Sequence, residues 1–292
     1  MTTRSPSRSF SRGWIVVGLA TVIYLYLLFP TLIVVPMSFG SGAELAFPPR
    51  HLSLDLYRSY FSGAEWLQTT GRSALYAVAA SLLGLLVAAP AGYSLVRTSF
   101  PGKRLLVMLV LSPMTVPIVV IGLGVYLYYL KLSLIGTATG VILAHAMYVA
   151  PFIVLTISAG VENLDERLEK VAVIMGASQL RVFFQVVMPQ LVPSLISAAL
   201  FAFLMSFDEV VISWFITGPS TMTLPVKMYS SIKWEVSPVL AAVATMLTAL
   251  SVIACLATHV LKHGVTLHRG GKLRGHSGAT SMGDSSELKT TR

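Results

Sequence analysis

Six stretches of the chain contain no Asp, Glu, Lys or Arg: residues 13–43, 73–96, 105–130, 132–161, 182–207 and 236–261. The shortest is 24 residues and the longest 31, and together they take up 163 of the 292 positions. Each exceeds the ~20 apolar residues that a helix needs to cross a hydrocarbon layer about 30 Å thick. Strands of a membrane barrel would instead alternate apolar and polar over about 10 residues, so a barrel is excluded. The pattern predicts an all-α, polytopic membrane protein with six transmembrane helices, near 14–37, 71–96, 105–130, 138–160, 191–216 and 237–261.

Composition narrows the class further. Apolar residues make up 55% of the chain and charged residues 11%, against roughly 25% charged in soluble domains, which excludes both an ordinary globular protein and a disordered one. The net charge of +9 does not require nucleic acid, because the basic residues sort by side of the membrane. Fifteen of the 21 Lys and Arg lie before the first span, in the second and fourth gaps between spans, and in the tail from 262. Such a bias marks cytoplasmic segments, so both termini are expected there. Residues 1–13 then form a basic cytoplasmic N-terminus and 14–262 a membrane domain. The apolar run from Trp14 to Pro36 is 23 residues, longer than the ~7–15 of a signal-peptide core, and reads as an uncleaved first span. Residues 263–292, rich in Gly, Ser, Thr and charge, are expected to be a disordered tail. Cys255 is the one cysteine, so no intramolecular disulfide exists. The fragment Gly270-Gly271-Lys272 has Thr266 where a phosphate loop needs glycine and Leu273 where it needs Ser or Thr. No nucleotide site is visible. Pro30, Pro90, Pro113, Pro117 and Pro151 fall inside spans and predict bent helices, with small residues such as Ala88 to Gly92 allowing close packing.

The gap at 161–190 is unlike the others. Asn163 with Glu166 three residues later suggests a capping box opening a short helix. Leu168, Val171, Ala172 and Met175 lie on one face of it, and Gly176 stands where a left-handed cap is wanted. Ser178 would cap a second helix with an apolar face of Leu180, Phe183, Phe184 and Val187, stopped by Pro189. An amphipathic helix lying on the membrane would share these features.

The residue pattern points elsewhere. Ala172, Gly176, Val186, Met188 and Pro189 fall in register with the EAA motif, which runs E-A-A, three residues, Gly, nine residues, I-x-L-P. Gly176-Ala177-Ser178 and Phe183 also suit it. The chain therefore resembles type I ABC importer permeases, with two departures: Lys170 stands at the motif's Glu position, one place after Glu169, and Val171 at its first Ala. The likeness extends over roughly residues 10–262. Thr69 to Arg97 is similar to the second span of such permeases. Ser206-Phe-Asp-Glu to Pro219, and Thr223-Leu-Pro225, resemble the spermidine/putrescine branch and its second permease subunit.

That resemblance implies a pore subunit of the bacterial inner membrane that is not itself an enzyme. It implies a second, homologous permease chain, two cytoplasmic ATPase subunits, a periplasmic solute-binding protein and surrounding lipid as partners, with no nucleic acid. ATP and Mg would be bound by the ATPase, and this chain would bind no cofactor or metal. Glu169, Lys170, Ala172, Gly176, Ala177, Ser178, Phe183 and Pro189 are the implied ATPase-coupling residues. The implied cargo is a polyamine, with a metal ion, oxyanion or amino-acid derivative as alternatives.

Asp208 and Glu209 are the acidic pair inside a span and the candidates for the translocation path. An intramembrane carboxylate is costly unless it meets water, a cation or a partner, and consecutive helical residues point about 100° apart. One acid is thus expected to line the pore, Asp208 in preference, while the other meets a neighbouring helix. Pairing of either acid with Lys227 or Lys233, or with the partner permease, as a brace is the competing reading. An ion-coupled secondary transporter would be expected to show an inverted repeat, and none is visible. A membrane-embedded metalloenzyme would need more than His259 and His263 with His268 nearby. His145, alone in an apolar span, reads as hydrogen-bonded or pore-adjacent.

Overall fold

The computed structural model describes residues 8–41, 46–235 and 237–253. Backbone contacts divide the chain into two compact units, one of residues 1–57 and 238–292, the other Arg58–Ser237.

In the first unit, α1 (Arg8–Met37) is a 30-residue apolar helix. Its most apolar window carries no buried residue. The chain then turns at Ser38, whose hydroxyl meets that of Tyr57 at 2.7 Å, and Gly40 bridges Leu52. α2 (Asp55–Ser62) leads out of this unit. α12, Val239–Ile253, is apolar; the remainder of the sixth expected span, the residues before Arg8 and the tail lie outside the described residues.

The second unit is built on α3 (Ala64–Arg97), α6 (Ala138–Glu162) and α9 (Met188–Phe207). Ala88, Ile153, Ile157, Leu191, Ala198 and Ala202 bury one core between them. α3 and α6 approach closely at Gly92, where a Cβ would stand 3.1 Å from both Ile157 Cβ and the Val154 carbonyl. A second core joins Tyr76 of α3, Val125 and Tyr129 of α5 (Ile118–Leu132), Val141 and Ala144 of α6, and Ile212 and Ile216 of α10 (Val211–Ile216).

Two expected spans are broken. The third, 105–130, is α4 (Lys103–Leu111) running through a 3-10 turn to Met114, then α5 after a bend of 101°. Pro117 disfavours helical backbone at Val116 and has no N–H to donate, so the helix restarts beyond it. The fifth, 191–216, stops at Phe207 and restarts at Val211 as the short α10. The second span begins earlier than expected, at Ala64 rather than 71. Among the described residues, four helices are long and apolar enough to cross a membrane, or five if the bent pair is one span. Among the described residues there is no strand, and the chain is an all-α membrane protein.

Candidate functional site

The loop between α6 and α9 folds into α7 (Glu166–Ile174) and α8 (Gln179–Val182). Its N-cap is Asp165, not Asn163: the Asp165 carboxylate accepts the Arg167 N–H at 2.9 Å. Asn163 instead ends α6, its amide donating to the Ala159 carbonyl. Asp165 stands two residues before Arg167, within reach of its orphan N–H, and accepts from it, which satisfies the helix start without the reciprocal box. At the other end Gly176 adopts φ 87°. Its N–H bonds the Val173 carbonyl at 2.9 Å and the Ala177 N–H bonds the Ala172 carbonyl at 3.0 Å, the paired bonds of a Schellman cap. Nothing lies within 4 Å of a Cβ built on Gly176, so glycine is wanted there for its backbone and not for space.

Ser178 caps α8, its hydroxyl accepting the Arg181 N–H at 3.4 Å. Pro189 does not stop this helix. The turn Phe183–Val187 widens to π geometry, Met188 N–H bonding back to the Phe183 carbonyl, and the chain continues unbroken into α9. A wider turn draws the preceding carbonyls off the proline ring, which lets Pro189 be absorbed.

The loop has a seated side and an open side. Ala172, Ala177, Phe183 and Val186 pack on the core of the second unit, with Val187 wholly buried. Ile174 and Met175 are more than four-fifths exposed, and Leu168, Val171, Leu180 and Phe184 are exposed too. Of the face expected on α7, only Ala172 is seated. Glu169 turns inward: Tyr93 Oη donates to Oε2 at 2.9 Å and Arg97 Nε to Oε1 at 2.9 Å. Lys170 turns outward and pairs with Glu166 at 2.8 Å. The hydrogen bond and charge of Lys170, then the charge of Arg97, hold the Glu166 carboxyl below its ordinary value of 4.5.

A second cluster forms where α9 breaks. Glu209 is buried, and its carboxylate accepts the N–H groups of Ile212 (2.7 Å) and Ser213 (2.8 Å) and the Ser213 hydroxyl (3.0 Å). His145 of α6 reaches Ser213 Oγ through Nε2 and Ser206 Oγ through Nδ1, each at 2.8 Å, and Nε2 is 3.5 Å from Glu209. Ser213 Oγ is thus shared by His145 and Glu209 and links the imidazole to the carboxylate through one hydroxyl. Lys227 pairs with Glu65 at 2.7 Å and Lys233 stands over the Trp234 ring, so the brace to either lysine is not what holds Glu209. Asp208, the C-cap of α9, donates its backbone N–H to the Leu204 carbonyl at 3.0 Å; it is exposed, and its carboxylate makes no hydrogen bond or ion pair among the described residues. It lines a cleft of about 340 Å³ with Ile118, Tyr148, Leu204 and Met205, which the buried Glu209 also borders.

The residues that the resemblance implied for coupling thus divide between the two sides of one loop, and the acidic pair divides too, the Asp208 carboxylate exposed and Glu209 buried. Sequence reasoning left out Tyr93, Arg97, Ser206 and Ser213. The spacing Ser206, Glu209, Ser213 on one helical face was the available signal for the buried set. His259, His263 and His268 lie outside the described residues, among which no group of three His, Cys, Asp or Glu could hold a metal.

A family model described as the inner membrane component of binding-protein-dependent transport systems matches residues 80–263, from mid-α3 past the loop and the broken span. The chain belongs to this family. As a member, it is a transport permease of the inner membrane. It is 27% identical over 257 residues to the spermidine/putrescine transport system permease protein PotC of Escherichia coli (strain K12), covering 88% of this chain and 97% of that one. It is 30% identical over 266 residues to the putrescine transport system permease protein PotI of the same strain, covering 88% and 92%. A solved bacterial ABC transporter that imports the acidic polysaccharide alginate shares its fold, with TM-score 0.74 at 17% identity over 88% of this chain and 99% of that one.

Proposed function

We propose that this inner membrane component is one half of the pore of an ATP-driven polyamine importer, with its 161–190 loop as the contact for an ATPase subunit. The observation that carries the coupling role is the loop's open side. Ile174, Met175 and Leu180 stand exposed on helices whose opposite side is seated and whose turn is held by a Schellman cap. A short helix presenting apolar anchors fits a groove on a partner. Closure of the ATPase around ATP and Mg then displaces the loop and tilts the helices joined to it. A second permease chain completes the pore, and a periplasmic binding protein delivers the solute. The polyamine assignment is supported by the transport named for the PotC and PotI relatives and by Asp208, whose carboxylate has no hydrogen-bond partner among the described residues and borders a cleft lined mostly by apolar side chains. Such a group compensates the lost hydration of a passing polycation.

The permease domain is taken as 14–262 with six spans and both ends cytoplasmic, following the division of basic residues. Cysteines at Ser62 and Ser178 test that orientation: in intact cells an impermeant thiol reagent should label the former and spare the latter, and the reverse overturns it. The function is tested in proteoliposomes holding this chain, its partner permease and the ATPase, with the binding protein outside. Uptake of labelled spermidine or putrescine should require ATP and resist a protonophore. Uptake that proceeds without the ATPase and collapses with the protonophore would identify a secondary transporter instead.

A further inference from the structure

α3 is tied to distant parts of the second unit at both of its ends. At the end carrying Tyr93 and Arg97, the Arg97 side chain is only 11% exposed and its guanidinium holds three acceptors on the segment that opens the loop. Nε and Nη2 meet Glu169 Oε1 at 2.9 Å, Nη1 meets Glu166 Oε1 at 3.3 Å, and Nη2 donates to the Leu164 carbonyl at 3.1 Å. Tyr93 adds its hydroxyl to Glu169 and sets its ring 5.1 Å from that of Phe183, past the turn. A planar fork can satisfy two carboxylates and a carbonyl together, which a lysine ammonium in that place cannot.

At the opposite end Ser73 Oγ accepts the buried N–H of Leu224 at 2.7 Å, the first residue of α11 (Leu224–Ser230). Arg72 donates to the Pro219 carbonyl at 3.4 Å, and Lys227 of α11 pairs with Glu65 at 2.7 Å. From Ser73 to Arg97 the helix runs without a break, through Pro90; at ~1.5 Å per residue that is about 36 Å.

We propose that α3 is a strut locked at both ends, with Arg97 and Tyr93 as positioning residues that fix the coupling helix α7 to it and Ser73 fixing the chain at Leu224. Glu169 then serves α3, and a displacement of the loop is delivered along the helix to the segment 219–227. The inference rests on the coupling role proposed for the 161–190 loop. Packed helices move as units and do not deform continuously, so a helix gripped at both ends carries movement that a loosely attached one would dissipate.

The test uses the reconstituted transporter and three readings: basal ATP hydrolysis, its stimulation by the solute-loaded binding protein, and uptake. Arg97→Lys keeps the charge and loses the fork; Tyr93→Phe removes one hydroxyl; Ser73→Ala removes the acceptor at the far end. In Arg97→Lys and Ser73→Ala, basal hydrolysis should stay within about twofold while stimulation and uptake fall about tenfold, and Tyr93→Phe should lose about threefold. Arg97→Gln, Glu169→Gln and their double variant should be non-additive, the double no worse than the worse single. Arg97→Lys with full stimulation, additive losses, or Ser73→Ala with wild-type stimulation would each overturn the strut. Loss in Gly176→Val beside wild-type behaviour in Arg97→Lys and Tyr93→Phe would remove the strut alone; wild-type behaviour in Gly176→Val would remove the coupling role beneath it.

Discussion

In the loop at 165–190, the carboxylates of Glu166 and Glu169 find Lys170 and Arg97 at the edge of solvent, while Ile174, Met175 and Leu180 stand uncovered. At 207–217 the arrangement is inverted. Glu209 is buried without a Lys or Arg among its described partners, held by two backbone N–H groups, a serine and His145, and the apolar Ile212 and Ile216 are fully covered. What remains unmet differs accordingly: apolar surface on the loop, one carboxylate, Asp208, at the broken span. On the function proposed above, the first region would meet another protein through its bare apolar groups and the second a cation through its bare carboxylate.

The contrast breaks most sharply at Gly176. Valine there meets no neighbouring atom but must adopt φ near 87°, so Gly176→Val should lower uptake about thirtyfold through backbone strain, with the protein still inserted and no loss of thermal midpoint to match. Gly176→Ala should lose less, since alanine tolerates the left-handed region better than a β-branched residue. At the broken span the first effect should be on stability. His145→Ala leaves Ser206 and Ser213 without the imidazole, and should cost about 1–2 kcal/mol, read as a lowered thermal midpoint in detergent. Asp208→Asn removes no bond, so its thermal midpoint should be unchanged while polyamine uptake falls about fivefold. A lowered midpoint with intact uptake would reverse the roles drawn for the two acids. The smallest effect belongs to Glu166. Its folded value lies below 4.5, so its contribution is complete at neutral pH and fades only as the pH falls below that value through the depressed one. The pair with Lys170 is exposed, so Glu166→Gln should cost little; what it costs should be seen in full at pH 7 and vanish as the pH falls below 4.5, where the variant is also less acid-sensitive.

The helices were legible because long uncharged runs are a local property. The Gly176 turn was legible for the same reason: the residue type carries the backbone requirement. The bend at Ser112–Pro117 was half legible, since both prolines were visible but a mere kink and a 101° bend differ only in what surrounds them. Glu209 was read as an intramembrane acid, yet its satisfaction depends on His145, 64 positions earlier, and no local pattern announces that pairing. Glu169 shows the limit most plainly. Motif register placed it one position before the usual acid, and on a helix one position is a rotation of about 100°. That turn carries Lys170 to solvent and Glu169 onto Arg97, 72 residues away in the chain.

The buried set around Glu209 also bears on how the chain is made. Ribosomes deliver α6 before α9, so His145 is already lodged in the bilayer when the acidic segment emerges. An acidic residue carried into the bilayer by an entering segment is costly unless it meets a partner. The earlier helix offers a polar landing place for Ser206 and Ser213, and through them for the carboxylate, so the later segment can settle against a waiting partner. Order of synthesis and order of burial thus coincide, and a chain with these helices permuted would have to bury Glu209 before its imidazole arrived.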